Sequence, residues 1–353
     1  MNIIKILLLW PLSLIYWLAV EFRNFLYGRG LKKTTRAGIP VISVGNLVAG
    51  GTGKTPCAIM LAEMLGELGY RPAIVSRGYG RRPTAAEPIL VSDGDKIFCS
   101  PDHSGDEPYL MAKKLLGRKV LIIVSGDRLA GARLAERSGA DVVILDDGFQ
   151  HRRLWRDLNI LLLDCQRPFD NGWLLPAGLL REPKSALKRA ELVILTRCEA
   201  GRAPDPKPYL KSSLPALAAA HVPGPIWRLN SWRCGGAGVT PGSIDRPVML
   251  FSGLARPESF ERSVAQLGLR MAGHLKFPDH HRYHKADLLK IEKAGLATGR
   301  LLTTEKDAVR LPEDWHPEPE IYVLGVSMQM ISWDQTSALK DIIRKRMVRH
   351  DPG

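Results

Sequence analysis

The apolar positions of this chain fall into two regimes. Residues 6–20 form one nearly unbroken run, ILLLWPLSLIYWLAV. From Pro40 to about Thr196, short apolar runs alternate with helical patterns. The runs are PVISVG (40–45), PAIVS (72–76), KVLIIVSG (119–126), DVVILDD (141–147), LNILLLD (158–164) and LVILT (192–196). None has the in–out alternation of a half-exposed strand, so each predicts a strand buried on both faces. Between them, Cys57–Leu68, Pro108–Leu116 and Leu129–Arg137 carry helical spacing. Strand–helix alternation predicts a doubly wound α/β sheet. Pro/Gly-rich stretches at Gly201–Pro225 and Gly235–Pro247 read as a boundary. PVMLFSG (247–253) then opens a smaller α/β unit, with helices expected over Pro257–Leu267, Lys285–Lys293 and Gln335–Arg346.

The N-terminal run is short for a membrane span. Fifteen helical residues cover about 22 Å, against a hydrocarbon core of about 30 Å. Lys5 precedes it, and Arg23, Arg29, Lys32, Lys33 and Arg36 follow. Trp10, Tyr16 and Trp17 suit an interface. A signal peptide lacks its small-x-small site after Val20, and a buried core helix leaves the basic flank unexplained. A monotopic anchor accounts for both features. The whole chain carries 50 Lys+Arg against 36 Asp+Glu, a formal +14, which favours an anionic partner. No interleaved aromatic and basic stripe points to nucleic acid. The five cysteines (57, 99, 165, 198 and 234) are scattered with no CxxC pair. This argues against a disulfide framework and predicts small buried hydrophobes in a reducing compartment.

The chemistry concentrates in GNLVAGGTGKTP (45–56), between a predicted strand and a predicted helix. That context predicts a P-loop in which Val48, Ala49, Gly50, Gly51, Thr52, Gly53, Lys54 and Thr55 wrap the phosphates of ATP. Lys54 would bridge the β- and γ-phosphates, the Thr55 hydroxyl would hold Mg²⁺, and the helix N-terminus adds its dipole. The usual pattern has glycine where Val48 stands, and Ala49 occupies the extra-lysine position of partition-type ATPases. At the end of a neighbouring strand, Asp146 and Asp147 supply a second magnesium motif, although acidic residues also end strands at turns.

For the acceptor side, Asp106 and Glu107 precede a helical pattern, which suits either hydroxyl activation or helix capping. FPDHHRYH (277–284) offers Asp279, His280, His281 and His284; the spacing of four between His280 and His284 permits metal binding on a helix, but a proton relay suits the set better. Arg77, Arg81 and Arg82 in SRGYGRR, and Arg128 in SGDR, sit after strands where arginine can grip a phosphate. LLPAGLLREP (174–183) is an apolar loop ending in Arg181 and Glu182. TTEKDAVRL (303–311) is either a helix cap or a second-domain wall of the site.

Taken in order, GNLVAGGTGKTP, SRGYGR, GDEP, SGDR, DDGFQH, LLPAGLLREP, FPDHH and TTEKDAVR resemble the tetraacyldisaccharide 4′-kinase family nearly end to end. The resemblance implies an ATP- and Mg²⁺-dependent transfer to the 4′-hydroxyl of a tetraacyl disaccharide 1-phosphate in lipid A biosynthesis. It implies Asp106 as the residue that activates the hydroxyl, His280 as its partner, Glu107 as a further acidic active-site residue, and Asp146 and Asp147 at magnesium. Tyr79, Arg128, Gln150, His151, Arg181 and Glu182 resemble substrate-side residues. The implied fold is two α/β/α units joined by a small β linker, with an N-terminal helix at the cytoplasmic face of the inner membrane. The expected division is an apolar helix and basic flank at 1–36, a P-loop kinase domain at 37–225, and a smaller α/β domain with the linker at its start at 226–353. The expected partners are the glycolipid and the membrane surface, with neither nucleic acid nor an obligate protein partner. A kinase of a soluble cofactor, or a membrane-associated nucleotide switch, is the alternative reading of the P-loop alone.

Overall fold

A computed structural model describes residues 3–79, 81, 87–198, 210 and 214–348, with side chains from residue 8 onward. Arg82, and residues 201–209 and 211–213 of the Pro/Gly-rich stretch, lie outside the described residues, as does the side chain of Lys5. The strands are β1 Val41–Asn46, β2 Pro72–Ser76, β3 Ile89–Ser92, β4 Leu121–Val124, β5 Val142–Asp146, β6 Leu158–Asp164, β7 Leu192–Thr196, β8 Ala216–Arg228, β9 Val248–Ser252, β10 Met271–Lys276, β11 Arg300–Thr304 and β12 Glu320–Met330. The helices are α1 Ile3–Gly28, α2 Lys54–Glu67, α3 Pro101–Ser104, α4 Asp106–Lys114, α5 Arg128–Arg137, α6 Leu229–Arg233, α7 Pro257–Gln266, α8 Lys285–Leu296, α9 Glu305–Ala308 and α10 Trp333–Met347.

This is a mixed α/β fold on one continuous sheet, ordered β10-β9-β11-β12-β8-β7-β6-β1-β5-β2-β4-β3. All six apolar runs of the first half are strands and pair in parallel with one another; the short β3 at the edge pairs antiparallel, with β4. Their alternate residues feed two cores. Ile42, Val44, Ile74, Ile122 and Ile144 face α2, α4 and α10; Val41, Val75, Ile123, Val143 and Leu145 face α5. Cover on both faces explains why the strands read as unbroken apolar runs; on β6 and β7 the second face, with Leu161, Leu163 and Val193, packs against the loop residues Phe149, Phe169 and Leu180 in a third core.

The second block, β10-β9-β11-β12, is parallel within itself and joins the first through an antiparallel pairing of β12 with β8. The Pro/Gly-rich boundary is therefore partly strand. β8 runs through Pro223, Gly224 and Pro225, because the register shifts between Leu324 and Val326 opposite them. Residue 225, where the sequence division falls, lies inside β8. The last helix returns to the first block: Leu339, Ile343 and Met347 of α10 pack with α2 residues.

α1 turns its faces the opposite way from an ordinary surface helix. Leu8, Leu12, Ile15, Leu18, Phe22 and Phe25, at helical spacing, are exposed. Ser13, Tyr16, Arg23 and Asn24 point inward and hydrogen-bond to the body of the protein. No helix among the described residues is long and apolar enough to cross a membrane.

The cysteines differ from expectation. Cys165 and Cys198, at the ends of β6 and β7, form a disulfide, since parallel pairing brings their Cα atoms to 5.6 Å. Cys57 is buried as expected, whereas Cys99 is half-buried and Cys234 is exposed.

Because α10 completes the first core, truncating Leu339 should unfold that block more easily. Leu339→Ala is expected to cost about 2–5 kcal/mol in equilibrium denaturant unfolding. A loss within experimental error would mean that α10 is not part of this core.

Candidate active site

The glycine-rich loop after β1 is shaped by its own backbone demands. Gly50 (φ 109°) and Gly53 (φ 89°) lie in the left-handed region that residues with a Cβ avoid. A Cβ on Gly53 would also come within 2.8 Å of His221 Nε2 on β8 and Met328 Cε on β12. Asn46 braces the loop, its Nδ2 donating to the Val48 carbonyl at 2.6 Å and to Thr52 Oγ1 at 2.7 Å. Thr196 Oγ1 donates to the Thr52 carbonyl at 2.9 Å, and Arg197 donates to the Gly51 carbonyl. Val48 is buried, pairs with Leu180 and packs beside Leu47 and Phe149. A side chain at that position therefore fills a core. Ala49 N donates to the Leu179 carbonyl at 2.7 Å.

Gly53 caps α2, which begins at Lys54 and Thr55. Lys54 Nζ is loosely held, 3.4 Å from the Gly50 carbonyl, 3.5 Å from Asn46 Oδ1 and 3.7 Å from Asp147 Oδ1. Thr55 is buried. Next to β1, β5 ends in Asp146 and Asp147. Asp146 Oδ2 accepts from Ser76 Oγ at 3.2 Å, while Oδ1 is buried without a partner. Burial, reinforced by the Glu107 and Asp147 charges, pushes the Asp146 carboxyl well above the usual range. Asp147 adopts a left-handed backbone (φ 55°) and accepts both contacts of the Arg181 guanidinium, at 3.0 and 2.8 Å. Burial opposes ionisation of Asp147, but Lys54 and Arg181 outweigh it and hold the carboxyl low.

Across the cleft, Gly105 (φ 90°) starts α4 and presents Asp106 and Glu107. Arg310 Nε donates to Asp106 Oδ2 at 2.7 Å, and His280 Nδ1 is 4.0 Å from the same oxygen. Burial alone would raise the Asp106 carboxyl; the His280 and Arg310 contacts outweigh it and hold the group below its ordinary value. Lys306 donates to Glu107 at 2.7 Å and keeps that carboxylate ionised. Glu107 also feels Lys54 and His280, so it links the two sides of the cleft electrostatically.

The second block holds these cations rigidly. Asp307 is fully buried and accepts from Gly253 N, Tyr283 Oη, Thr304 Oγ1 and Arg310. His280 is left-handed (φ 57°), and its amide donates to Asp279 Oδ1 at 3.1 Å. Strained backbone at Asp147 and His280 is typical of functional positions. His281 faces away, stacked on Phe277 and bonded to Asp287 at 3.0 Å. Residues 280–283 are not helical, and His284 caps α8, so His280 and His284 do not form a helical metal pair.

The remaining expected residues are distributed unevenly. Tyr79 is 75 % exposed and sets its ring edge-on to His280 at 5.8 Å. Gln150 Nε2 donates to the Asn46 carbonyl at 2.9 Å. Arg128 is buried, bonded to the carbonyls of Ser125 and Asp146. His151 is half-buried with its Nε2 unpartnered; burial and nearby arginines lower its imidazole to about 4. Glu182 has 0 % exposure and is taken up by Arg23, Asn24 and Arg189. Arg77 is exposed and Arg81 is buried. A cavity of about 270 Å³ lies between α1 and this loop, lined by Trp10, Leu14, Trp17, Trp173 and Leu174. Sequence reasoning did not single out Arg310, Lys306, Asn46, His221, or Asp164 with its partners Arg197 and Arg256. Only the TTEKDAVRL pattern hinted at the first two.

His221 gives a pH test. Burial and Arg197 lower its imidazole to about 4, below the unfolded value of about 6.5. The unfolded chain therefore takes up a proton that the folded chain refuses. The associated stability is present above about pH 6.5 and is lost as pH falls towards 4. His221→Leu should reduce the stability lost between pH 7.5 and pH 5 by about 1–2 kcal/mol. An unchanged acid limb in denaturant titrations would contradict the burial of a neutral histidine.

The family model described as Tetraacyldisaccharide-1-P 4'-kinase matches residues 5–348. A tetraacyldisaccharide 4'-kinase from Syntrophus aciditrophicus (strain SB) is 44% identical over 324 residues, covering 86% of this chain and 84% of that protein. One from Geobacter metallireducens is 42% identical over 315 residues, covering 86% and 88%. A crystal structure described as the "apo" form of LpxK from Aquifex aeolicus in complex with ATP matches with a TM-score of 0.76 at 34% identity, covering 96% of this chain and 98% of that one. This chain belongs to the tetraacyldisaccharide-1-P 4'-kinase family.

Proposed function

We propose that the chain transfers the γ-phosphoryl group of ATP to the 4′-hydroxyl of tetraacyldisaccharide 1-phosphate, the step that forms lipid IVA in lipid A biosynthesis. One observation carries this reading: the charge set running from Lys54 and Asp147, through Glu107, to the Asp106–His280–Arg310 cluster. This supports reading Lys54 as the phosphate-binding lysine and Asp106 as the carboxylate that meets the hydroxyl, with Glu107 sensing both sides.

The backbone of Val48–Gly53 wraps the phosphates, with Lys54 at the β- and γ-phosphates. The residues fit a magnesium ion: Asp146 Oδ1 is a buried carboxylate oxygen without a donor, beside Asp147 and the start of α2 with Thr55. When bound, magnesium supplies charge neutralisation at the transferring phosphoryl group. Glu107 is the further acidic group facing this end. Asp106, kept ionised by His280 and Arg310, accepts the proton of the 4′-hydroxyl as its oxygen attacks phosphorus. His280 holds that carboxylate in place and takes part in the relay. Tyr79, on the exposed rim beside His280, meets the sugar. Gln150, His151, Arg128 and Arg181 shape the floor behind the phosphates, Arg181 through Asp147.

The lipid side is supported by α1. A helix with its polar residues inward and its apolar residues outward suits an apolar surrounding, with Arg29, Lys32 and Arg36 at headgroup level. The tryptophan-lined cavity beside it offers apolar surface to acyl chains. We therefore place the protein at the cytoplasmic face of the inner membrane. We divide the chain into the anchor (1–36), the nucleotide domain (37–225), whose core α10 completes, and the acceptor-side domain (226–353 apart from α10), with β8 and β12 as the link.

The test is mass spectrometry of tetraacyldisaccharide 1-phosphate incubated with ATP, Mg²⁺ and the full chain, which should gain one phosphate on the distal sugar. Asp106→Asn and His280→Ala should each lower kcat by about 10²–10⁴-fold, with MgATP affinity retained. Phosphorylation of a soluble acceptor in place of the glycolipid would overturn the substrate, and undiminished kcat in both variants would overturn the assignment of roles.

A further inference from the structure

Glu182 sits where no substrate can reach it. Its Oε1 accepts from Arg23 Nη2 at 3.1 Å, and its Oε2 from Asn24 Nδ2 at 3.4 Å and Arg189 Nη2 at 2.5 Å. Arg23 and Asn24 belong to α1, so this buried carboxylate fastens the end of that helix to the body of the protein. Two further contacts fasten the same helix to the same segment. Ser13 Oγ donates to the Leu174 carbonyl and accepts from Ala177 N, both at 3.0 Å. Tyr16 Oη donates to the Arg181 carbonyl at 2.9 Å.

Segment 174–182 in turn grips the nucleotide end of the site. Arg181 N donates to the Leu47 carbonyl at 2.7 Å, Ala49 N donates to the Leu179 carbonyl at 2.7 Å, and Val48 pairs with Leu180. The Arg181 guanidinium holds Asp147, which stands 3.7 Å from Lys54. A continuous set of hydrogen bonds and ion pairs thus runs from α1 to the loop, beside apolar packing of Val48 on Leu180. α1 makes these contacts with its polar inward face, while its apolar face remains outside.

We infer that Glu182 is a positioning residue: it couples the seating of α1 to the shape of the glycine-rich loop and Asp147, so that MgATP affinity depends on α1. This rests on the reading of residues 48–55 as the nucleotide site. Removing Arg23 leaves a buried carboxylate short of one cation, directly beside Arg181 in the chain. Arg181 then has a competing partner, and its hold on Asp147 and on the Leu47–Ala49 edge loosens.

The experiment measures MgATP binding to the full chain by calorimetry, with no acceptor present, alongside the thermal midpoint. Arg23→Ala should raise the MgATP Kd at least fivefold, Arg23→Lys should restore it to within twofold, and Tyr16→Phe should raise it at least twofold. A purely structural role would lower the thermal midpoint and leave Kd alone. If Arg23→Ala fails to fold, Tyr16→Phe, which removes one hydroxyl, decides the question. Kd within twofold of the parent in the folded variants overturns the coupling. A parent chain that binds no MgATP overturns the nucleotide-site reading instead, so the two failures are distinguishable.

Discussion

The cleft depends on a seam of opposite charges between two short helices. The first turn of α4 presents Asp106 and Glu107, and α9 with the second residue beyond its end presents Lys306 and Arg310. These pairs close across 204 and 199 residues of chain. At the other end of α4, Lys114 pairs with Glu305 at 2.7 Å. Tyr109 and Leu110, between them, pack into the apolar core of the second block. A nine-residue helix built on the first block is thus docked along its length on the second. The same ion pairs that join the blocks fix the direction of Asp106.

The ribbon of β8 and β12 supplies the second reference. Its antiparallel pairing is where strand direction reverses between the two blocks, and His221 and Met328 on it lie against Gly53. The glycine-rich loop is therefore seated on the same ribbon that carries the second block. Asn46, Asp146 and Ser76 come from the C-terminal ends of β1, β5 and β2. Gly253 and Thr304, which anchor His280 and Asp307, come from the ends of β9 and β11. Both blocks follow the general rule for α/β sheets, in which ligands meet the carboxyl ends of strands.

What the sequence revealed follows from how local each signal is. The fully buried strands were legible because both faces are covered by helices, leaving no polar positions to interrupt the run. β10 was not, because MAGHLK lies at a sheet edge and is mostly exposed. β8 was hidden by Pro223 and Pro225, which ordinarily end a strand; here the register shift in β12 accommodates them. In the site, Lys54, Asp106, Asp146 and His280 stand in compact motifs and could be named. His280 was separated from His281 only by structure, because the choice depends on which ring Phe277 and Asp287 capture. Arg310 and Lys306 stand inside TTEKDAVRL, which marks the segment but not these two side chains. Their meaning lies in partners about two hundred residues away. Arg128 and Glu182 were named, but their burial is a property of packing that composition does not encode.

Desolvation explains why two features stand out from the rest. Buried carboxylates in this molecule are generously met: Asp307 by four donors, Glu182 by three, Asp164 by Arg197, Arg256 and the amide of Gln166. An ionised oxygen without such partners is costly to bury. Asp146 Oδ1 is the one buried carboxylate oxygen among the described residues that lacks a donor. Its position beside Asp147 and Glu107 raises the cost further, which is why its carboxyl titrates high. The outward face of α1 is the apolar counterpart, a row of large side chains left in water while polar ones are turned inward. Each exception is unfavourable for the chain by itself, and each is of a kind that a partner offsets: a cation for a buried carboxylate, an apolar surrounding for an exposed apolar row. The inward, polar face of α1 reaches Asp147, the neighbour of Asp146, through Glu182 and the adjoining Arg181.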